Sequence, residues 1–392
     1  MDDPTGWIGA LLAPAGQELM AELAAEPLTA ANEIRLIMRL RDKHPPELVQ
    51  AAVGQAKLRA RARAKFTHAD RMYFTAPALE QASTERMARN HARRYAGFDR
   101  MADLCSGIGG DLIALAEGRS VLAADLDPVH SRLACINAEA NGVGASVECV
   151  CADVRDLSLD GIPAAFVDPA RRAGGRRFQT GSGEPSLEWC FDLAARGTAL
   201  GIKAAPGLPL ELAPDGWEVE FVSEGGELKE SVLWSPALST VARRATLLPS
   251  GDTLVPEDGP AVEVRLPGDY LIDPDPAVTR SGTVEELARS LDCWKIDEQI
   301  AFLSCDRDVR TPFGRTLRVE ASLPWNLKQL RHVLREAGIG VVDIRKRGSA
   351  VDVDEIQRKL KLTGARAATV VLTRVSDRPW MLVCTDPPAD QA

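Results

Sequence analysis

Residues 101–111 read Met-Ala-Asp-Leu-Cys-Ser-Gly-Ile-Gly-Gly-Asp, and this stretch decides the fold. Apolar residues surround Asp103, and the Leu-Ile-Ala-Leu-Ala that follows has helical character. A strand that passes through a glycine turn into a helix can bind a nucleotide, since a Cβ at Gly107 or Gly109 would occupy the ligand's space. We therefore expect a Rossmann-like α/β domain whose first turn, which includes Ser106, binds a cofactor.

Acidic residues stand at the ends of the first three predicted strands. Asp125 follows Asp103 at close to the ~20-residue spacing of a ribose-binding acid, so we expect it to accept both ribose hydroxyls. Asp153 ends the third strand, where its carboxylate could accept the adenine amino group. These three acids favour an adenosine ligand. The crowded Gly-Ile-Gly-Gly with Asp111 after it differs from the spaced glycines of dinucleotide sites, so NAD is the second choice.

Short apolar strands alternate with helical stretches from residue 102 to about 249, which is typical of a mostly parallel sheet with helices on both faces. The predicted strands are 100–104, 120–124, 146–151, 164–167, 199–203, 217–223 and 228–234. The last two can form a hairpin across Gly225-Gly226, which predicts a seven-stranded sheet with an antiparallel edge.

The chain divides into three predicted regions. Residues 1–95 are rich in Ala, Leu, Glu and Arg, which indicates helices, with a break at Pro45-Pro46. Residues 96–250 form the α/β core, and a breaker-rich linker precedes a second α/β domain over 260–386. In that domain we expect strands at 315–321, 340–345, 368–374 and 380–384, and helices at 325–337 and 353–362.

Composition excludes several classes of protein. The 392 residues are 45% hydrophobic and carry a net charge of −9, which excludes a uniformly basic nucleic-acid coat. No apolar run approaches the ~20 residues of a membrane helix, and the acidic N-terminus lacks the basic start of a secretory signal. The eight cysteines form no C-x-x-C pair, so we expect a cytoplasmic protein without a metal site or structural disulfide.

Four stretches of the core resemble class I S-adenosylmethionine-dependent methyltransferases, and within them the RNA-modifying branch of trimethylguanosine synthases and related guanine-N2 enzymes. The similar stretches are 103–111, 124–128, 134–142 and 152–153, within a resemblance that covers roughly 75–234. The resemblance implies S-adenosylmethionine as cofactor. It also implies that the cofactor is bound by Asp103, Ser106, Gly107, Gly109, Asp111, Asp125 and Asp153.

Two further regions extend this resemblance. Tyr73-Phe74-Thr75 is similar to the aromatic-Thr element with which that branch covers the cofactor, which would make Thr75 a cofactor contact; the alternative is helix capping and core packing. Residues 323–330, 344–348 and 369–374 look like the THUMP-like domain of bacterial members. THUMP domains are associated with RNA binding, so this similarity implies RNA as a partner.

The fourth strand ends in Phe166-Val-Asp168-Pro-Ala-Arg-Arg172, where this fold presents its substrate-facing motif. Amino-methylating relatives carry Asp, Asn or Ser, then two prolines and an aromatic residue. Asp168 and Pro169 match and are the catalytic candidates, but Ala170 and Arg171 replace the second proline and the aromatic. Base stacking would then fall to Phe178 or an arginine plane; alternatively, Asp168 only caps the loop.

Basic segments are candidates for phosphate contacts or solvated surfaces. Arg171, Arg172, Arg176 and Arg177 flank the predicted active site, and we expect this loop to bind substrate phosphates. The alternating cations of 57–65 and the run 345–347 allow either interpretation. We expect Cys105, Cys149 and Cys151 to be buried small hydrophobes and not nucleophiles.

Three functions fit the sequence. The first is a methyltransferase that modifies a base in tRNA or another structured RNA. The second is a methyltransferase of a protein or small molecule. The third is a catalytically inactive RNA-binding protein that keeps the cofactor pocket.

Overall fold

The computed structural model describes residues 5–26, 28–170 and 183–387, together with the backbone of 172–173 and 176–177. The chain forms two compact units. The first comprises Met1–Glu218 and Ser231–Thr240, and the second Val219–Glu230 and Val241–Ala392. Within the described ranges, no helix is long and apolar enough to cross a membrane.

Six helices make up the N-terminal region, as the sequence predicts. They are α1 Gly6–Leu12, α2 Pro14–Ala25, α3 Glu33–Arg41, α4 Pro46–Ala62, α5 Ala76–Gln81 and α6 Glu85–Arg93. Pro45 precedes α4 and Pro46 is its first residue, so the two prolines separate α3 from α4. Fully buried side chains of four of these helices, among them Leu11, Leu19 and Leu40, form one hydrophobic core.

The remaining elements of the first unit form the predicted Rossmann-like core. Its strands are β1 Arg100–Leu104, β2 Ser120–Asp125, β3 Val147–Cys151, β4 Ala164–Val167, β5 Arg172–Ala173, β6 Arg176–Arg177 and β7 Ala199–Ala204. The chain continues into β8 Glu218–Glu224, nearly all of which belongs to the second unit, and β9 Glu227–Trp234, whose residues 231–234 belong to the first. The helices of the core are α7 Leu112–Leu115, α8 Pro128–Ala140 and α9 Leu187–Ala195. Apart from the small β5–β6 pair, the strand order here is β3-β2-β1-β4-β7-β9.

Parallel pairing brings the carboxyl ends of four strands to one sheet edge. Asp103 of β1 pairs with Ala123 of β2 and Phe166 of β4, and Val167 pairs with Ile202 of β7. β9 is antiparallel to β7, with Trp234 opposite Gly201. The sheet therefore places the residues that follow β1, β2, β4 and β7 side by side.

The late hairpin of β8 and β9 has the predicted position but does not end its sheet. In the second unit, β8 also pairs in parallel with β10 Arg243–Leu248, and β10 pairs with β11 Asp252–Leu254. Residues 218–223 of β8 are all buried, and β10 hydrogen-bonds to the edge that the predicted seven-stranded sheet left unpaired.

The second unit contains a separate seven-stranded sheet. Its strands are β12 Tyr270–Pro274, β13 Trp294–Lys295, β14 Leu303–Cys305, β15 Gly314–Pro324, β16 Ile339–Lys346, β17 Arg366–Val375 and β18 Arg378–Thr385. Its helices are α10 Pro276–Ser281, α11 Val284–Leu291, α12 Leu327–Glu336 and α13 Val353–Leu360. The order is β13-β14-β12-β15-β18-β17-β16. Every element predicted after residue 314 is present, whereas β12 to β14, α10 and α11 had no predicted counterpart.

Candidate active site

The turn after β1 takes a left-handed course. Cys105, Gly107 and Gly109 have φ angles of 63°, 55° and 85°, and Cys105 is the unusual member because L side chains rarely adopt this conformation. A Cβ added to Gly107 would meet no atom within 4 Å, so open space lies beside this residue. A Cβ on Gly109 would instead lie 3.3 Å from the Cα atom of Ala134 in α8. Gly107 thus leaves room for a ligand, while Gly109 allows helix packing.

Asp125 at the end of β2 holds this turn. Its carboxylate accepts the backbone N–H of Gly107 at 2.8 Å and that of Asp127 at 2.9 Å. The Nδ1 atom of His130 lies 3.6 Å from the same carboxylate, and hydrogen bonding to Asp125 raises the pKa of His130. Leu126, the next residue along the chain after Asp125, is 68% exposed and offers an apolar surface there. No spacing pattern had singled out His130.

Asp103 is buried at the base of the turn. Burial raises the pKa of its carboxyl well above the ordinary range, and Asp111 adds to the effect. Ser106 donates its hydroxyl hydrogen bond to the backbone oxygen of Asp103 at 2.8 Å, which joins the turn to β1. Among the described residues, none gives the Oδ2 atom of Asp103 a hydrogen bond. A buried carboxyl oxygen in this state can accept a hydrogen bond from a ligand's donor.

Asp153, the third predicted acid, already has a partner. Arg155 donates its backbone N–H to the carboxylate at 2.9 Å and its Nη2 at 2.6 Å, and these hydrogen bonds lower the pKa of Asp153 to about 2. The Nη1 atom of Arg155 also lies 3.1 Å from Glu184. An adenine amino group at Asp153 would therefore share the carboxylate with Arg155, a residue that the sequence patterns did not indicate.

Asp111 is part of a buried polar network instead of lining open space. Its carboxylate accepts hydrogen bonds from the Ser83 hydroxyl at 2.7 Å and from His91 Nδ1 at 2.8 Å, and Lys203 Nζ lies 3.7 Å away. Burial opposes ionisation, yet the charge of Lys203 and the His91 hydrogen bond outweigh it and lower the pKa of Asp111. Ser83 and His91 come from the N-terminal region, so no local pattern could have shown these contacts.

Asp168 stands beside the glycine turn at the end of β4. Its backbone N–H donates to the carbonyl of Leu104 at 3.1 Å, and its Oδ2 accepts a hydrogen bond from Lys203 Nζ at 2.7 Å. After Pro169, the backbones of Ala170 and Glu184 exchange two hydrogen bonds of 2.8 and 3.1 Å. This pairing closes the base of the arginine-rich loop next to Asp168.

Of the predicted phosphate-binding arginines, Arg172, Arg176 and Arg177 are described by their backbone alone. Arg172 pairs with Arg177, and Ala173 with Arg176, in the short antiparallel β5–β6 pair. Arg171, Phe178 and the side chains of Arg172, Arg176 and Arg177 lie outside the described residues. Their proposed contact with a substrate stays a prediction.

Thr75 caps a helix that begins just after the aromatic segment. Its hydroxyl accepts the N–H of Ala78 at 3.3 Å at the start of α5. The side chain of Asn137 donates to the carbonyls of Tyr73 at 3.0 Å and Ile108 at 2.9 Å, so it links this segment to the glycine turn. The Thr75 hydroxyl therefore serves as a helix cap here, and its contact with a cofactor stays a prediction.

The basic segments outside this site are paired within their own units. In α4 and just beyond it, each cation has a partner: Lys57 with Glu33, Arg59 with the Met72 carbonyl, Arg61 with Glu80, Arg63 with Asp70, and Lys65 with the carbonyls of Leu79, Glu80 and Ala82. Arg345 and Arg347 both contact the buried Asp273, at 2.7 and 3.1 Å. These cations neutralise neighbouring acids and bind carbonyls. The loop after Asp168 is therefore the basic segment nearest the site that stays a candidate for phosphate contacts.

Three cysteines lie in or beside strands of the core, at Cys105, Cys149 and Cys151. Burial and then Asp125 raise the pKa of Cys105, so its thiol stays protonated. Cys105 and Cys149 are half-buried and Cys151 is exposed, so the expectation that all three are buried was wrong; β3 is only partly covered. In the described ranges, no group of three or more His, Cys, Asp or Glu side chains could hold a metal ion.

Three family models match the chain. Residues 98–178 match a model described as RNA cap guanine-N2 methyltransferase, and residues 314–386 match one described as THUMP domain-like. Residues 7–62 match a domain of unknown function. The first two matches coincide with the glycine-turn core and with the sheet strands from β15 onward.

Whole-chain comparisons agree with the core assignment. An uncharacterized S-adenosylmethionine-dependent methyltransferase, present in two strains of Mycobacterium tuberculosis, is 36% identical over 310 residues, which covers 77% of this chain and 84% of the relative. The crystal structure of a "putative methyltransferase" from Porphyromonas gingivalis W83 has a TM-score of 0.73 at 19% identity, over 87% of this chain and 91% of that one. The second comparison shows a shared fold.

Proposed function

Because the chain belongs to the S-adenosylmethionine-dependent methyltransferases, we propose that it transfers a methyl group from S-adenosylmethionine to a base in tRNA or another structured RNA. The observation that carries this proposal is the position of Asp168, which follows β4 and is hydrogen-bonded through its backbone to Leu104 beside the glycine turn. Support for RNA comes from the RNA methyltransferase model over 98–178 and the THUMP-like model over 314–386.

The residues around the turn fit the cofactor. We propose that Asp125 accepts the ribose hydroxyls, that Gly107 leaves the nucleoside its space, and that the unpartnered Oδ2 of Asp103 accepts from an amino group. Leu126 offers an apolar surface to the adenine ring and Asp153 an acceptor to its amino group. Bound S-adenosylmethionine supplies an electrophilic methyl group on a sulfonium.

Asp168 would align the acceptor. A carboxylate that accepts a hydrogen bond from the nucleophile fixes its lone pair toward the methyl group, and methyl transfer depends mainly on such alignment. Pro169 restricts the backbone that carries this acid. The arginines of the loop, Arg171, Arg172, Arg176 and Arg177, would hold RNA phosphates. We further propose that the regions 1–95, 96–250 and 260–386 are separate domains and that the enzyme acts in the cytoplasm.

A labelling experiment tests this function. Purified full-length protein is incubated with total RNA and methyl-labelled S-adenosylmethionine, and the RNA is digested to nucleosides to identify the modified one. Label in RNA supports the proposal. Label in protein or a small molecule would favour the second function, and cofactor binding without transfer would favour an inactive RNA-binding protein.

A variant tests the proposed role of Asp168. Asp168→Ala is expected to abolish transfer while S-adenosylmethionine still binds in calorimetry, because Asp168 meets the acceptor and Asp125 holds the cofactor. Asp70→Ala is a matched control, since Asp70 is an exposed acid paired with Arg63. Undiminished turnover of Asp168→Ala would remove this residue from the mechanism.

A further inference from the structure

A buried lysine at the end of β7 has no place in the functions proposed so far. The side chain of Lys203 is only 3% exposed. Burying an ammonium group costs free energy unless it is paired and hydrogen-bonded. A buried lysine therefore needs a partner of opposite charge.

Polar groups of the first unit surround the Lys203 ammonium, among them Asp168, Ser83 and Asp111. Its Nζ lies 2.7 Å from Asp168 Oδ2, 2.8 Å from the Ser83 hydroxyl and 3.7 Å from Asp111 Oδ2. The ammonium thus joins an acid at the proposed reaction centre to one in the buried network. Of these two acids, Asp168 is the more open, with 28% of its side chain exposed against 9% for Asp111.

Hydrogen bonds and ring packing fix the polar network of Asp111, Ser83 and His91 next to Lys203. Asp111 accepts hydrogen bonds from Ser83 and from His91, which is fully buried. The His91 ring stacks on Phe166 of β4 with centroids 4.8 Å apart and an interplanar angle of 25°. Phe166 precedes Asp168 by two positions, so one framework positions both the lysine and the acid.

We propose that Lys203 is a positioning residue that fixes the Asp168 carboxylate and offsets its charge, and that it thereby sets how the site distinguishes S-adenosylmethionine from S-adenosylhomocysteine. This inference rests on the proposed function, because it places Asp168 near the sulfonium. The methyl donor is positively charged at sulfur and the product is not. A carboxylate without its lysine would hold the donor in its ground state more tightly, which does not speed the chemical step.

The test compares the affinities of the two cofactor forms. Isothermal titration calorimetry on the full chain measures association constants for S-adenosylmethionine and S-adenosylhomocysteine in wild type, Lys203→Met and Lys203→Arg. Removing one positive charge several ångströms away at an effective dielectric near 20 is expected to raise the donor-to-product ratio of association constants at least about tenfold in Lys203→Met. Lys203→Arg should stay near the wild-type ratio because it keeps the charge.

Controls separate this electrostatic role from a structural one. Lys57→Met removes an exposed lysine paired with Glu33 and should leave the ratio unchanged. In Asp168→Asn the ratio should fall, and adding Lys203→Met to that variant should raise it again, since the effects of the two opposite charges on the sulfonium add. A distorted pocket would weaken both ligands together in every background.

Each outcome decides a different question. If wild type binds neither ligand, the proposed function fails. If wild type binds both but Lys203→Met and Asp168→Asn leave the ratio unchanged, the role of Lys203 is overturned while the proposed function stands. If Lys203→Met does not fold, Asp168→Asn still tests the proposal. Asp168 is partly exposed in wild type, so its replacement should be tolerated, and an unchanged ratio in Asp168→Asn would contradict the proposal.

Discussion

The backbone N–H of Gly107 donates a hydrogen bond to Oδ2 of Asp125 at 2.8 Å, so the end of β2 fixes the turn that follows β1. The same carboxylate also accepts the N–H of Asp127. Asp125 therefore shapes the pocket as well as offering it an acceptor, because a carboxylate can accept more hydrogen bonds than these two.

Replacing Asp125 should damage both pocket and stability. Asp125→Ala leaves the Gly107 N–H without its partner, which costs about 1 to 3 kcal/mol in the free energy of unfolding. We expect S-adenosylmethionine affinity to fall at least about tenfold in calorimetry, the equivalent of one lost ligand hydrogen bond of about 1.4 kcal/mol. Asp127→Ala is the control: it removes the cap of α8 at a cost of about 1 kcal/mol and should keep the affinity. Wild-type affinity in Asp125→Ala would contradict the prediction.

The two glycines of the turn should differ in their response to alanine. Gly107→Ala places a methyl group in open space at φ 55°, so we expect lost cofactor affinity with a stability loss of about 1 to 2 kcal/mol. Gly109→Ala has a similar backbone penalty and also brings Cβ to 3.3 Å from Ala134, so its loss of stability should be larger. Urea unfolding and calorimetry measure the two effects. Equal stability and unchanged affinity in both variants would contradict this assignment.

His130 should make stability depend on pH. Hydrogen bonding to Asp125 raises its folded pKa above the unfolded value, so its contribution is full below the unfolded pKa of about 6.5 and is lost as pH rises through the folded pKa. We expect the melting temperature of wild type to exceed that of His130→Gln most at about pH 6 and to converge with it in mildly alkaline buffer. A constant difference across this range would show that the ion pair does not contribute.

Asp111 should matter more for folding than for binding. Asp111→Asn removes a charge 3.7 Å from Lys203 and weakens the His91 contact, but Lys203 keeps Asp168 as its partner. We therefore expect a loss of about 1 to 3 kcal/mol in the free energy of unfolding. The lowered pKa of Asp111 means that wild type gains this stability above the unfolded pKa and loses it in acid. Urea unfolding at neutral pH measures the loss. If the variant is instead fully stable but no longer binds S-adenosylmethionine, Asp111 contacts the cofactor directly.

RNA affinity should depend on the loop arginines and not on α4. Replacing Arg171, Arg172, Arg176 and Arg177 by alanine is expected to reduce the salt dependence of RNA binding, by about 0.7 in slope for each phosphate that an arginine no longer neutralises. Arg61→Ala is the control, because Arg61 is already paired with Glu80. Filter binding of total tRNA at several salt concentrations measures the slopes. A larger effect from Arg61→Ala would assign the RNA surface to α4.

Much of the fold could be predicted because its signals are local. The glycine turn, the acid at the end of β2 and the Asp127-Pro128 start of α8 depend on residues within a few positions of one another. The same holds for the strands and helices after residue 314, whose apolar periodicity and stop at Gly338 are visible in the sequence. The region of β12 to β14 was not predicted, since β12 depends on pairing with the distant β15, and the short β14 and β13 add to β12 in turn.

The sequence by itself determined the glycine turn and the acids at the strand ends, since neighbouring residues set strand, turn and helix. Its resemblance to a known family indicated the methyltransferase class. Only the tertiary structure decided which charges meet. Lys203 contacts Asp168 and Ser83, and His91 hydrogen-bonds to Asp111. The cations of α4 pair with acids and carbonyls. Polar partners far apart in the chain leave no local pattern, because their distance is set by how sheet and helices pack.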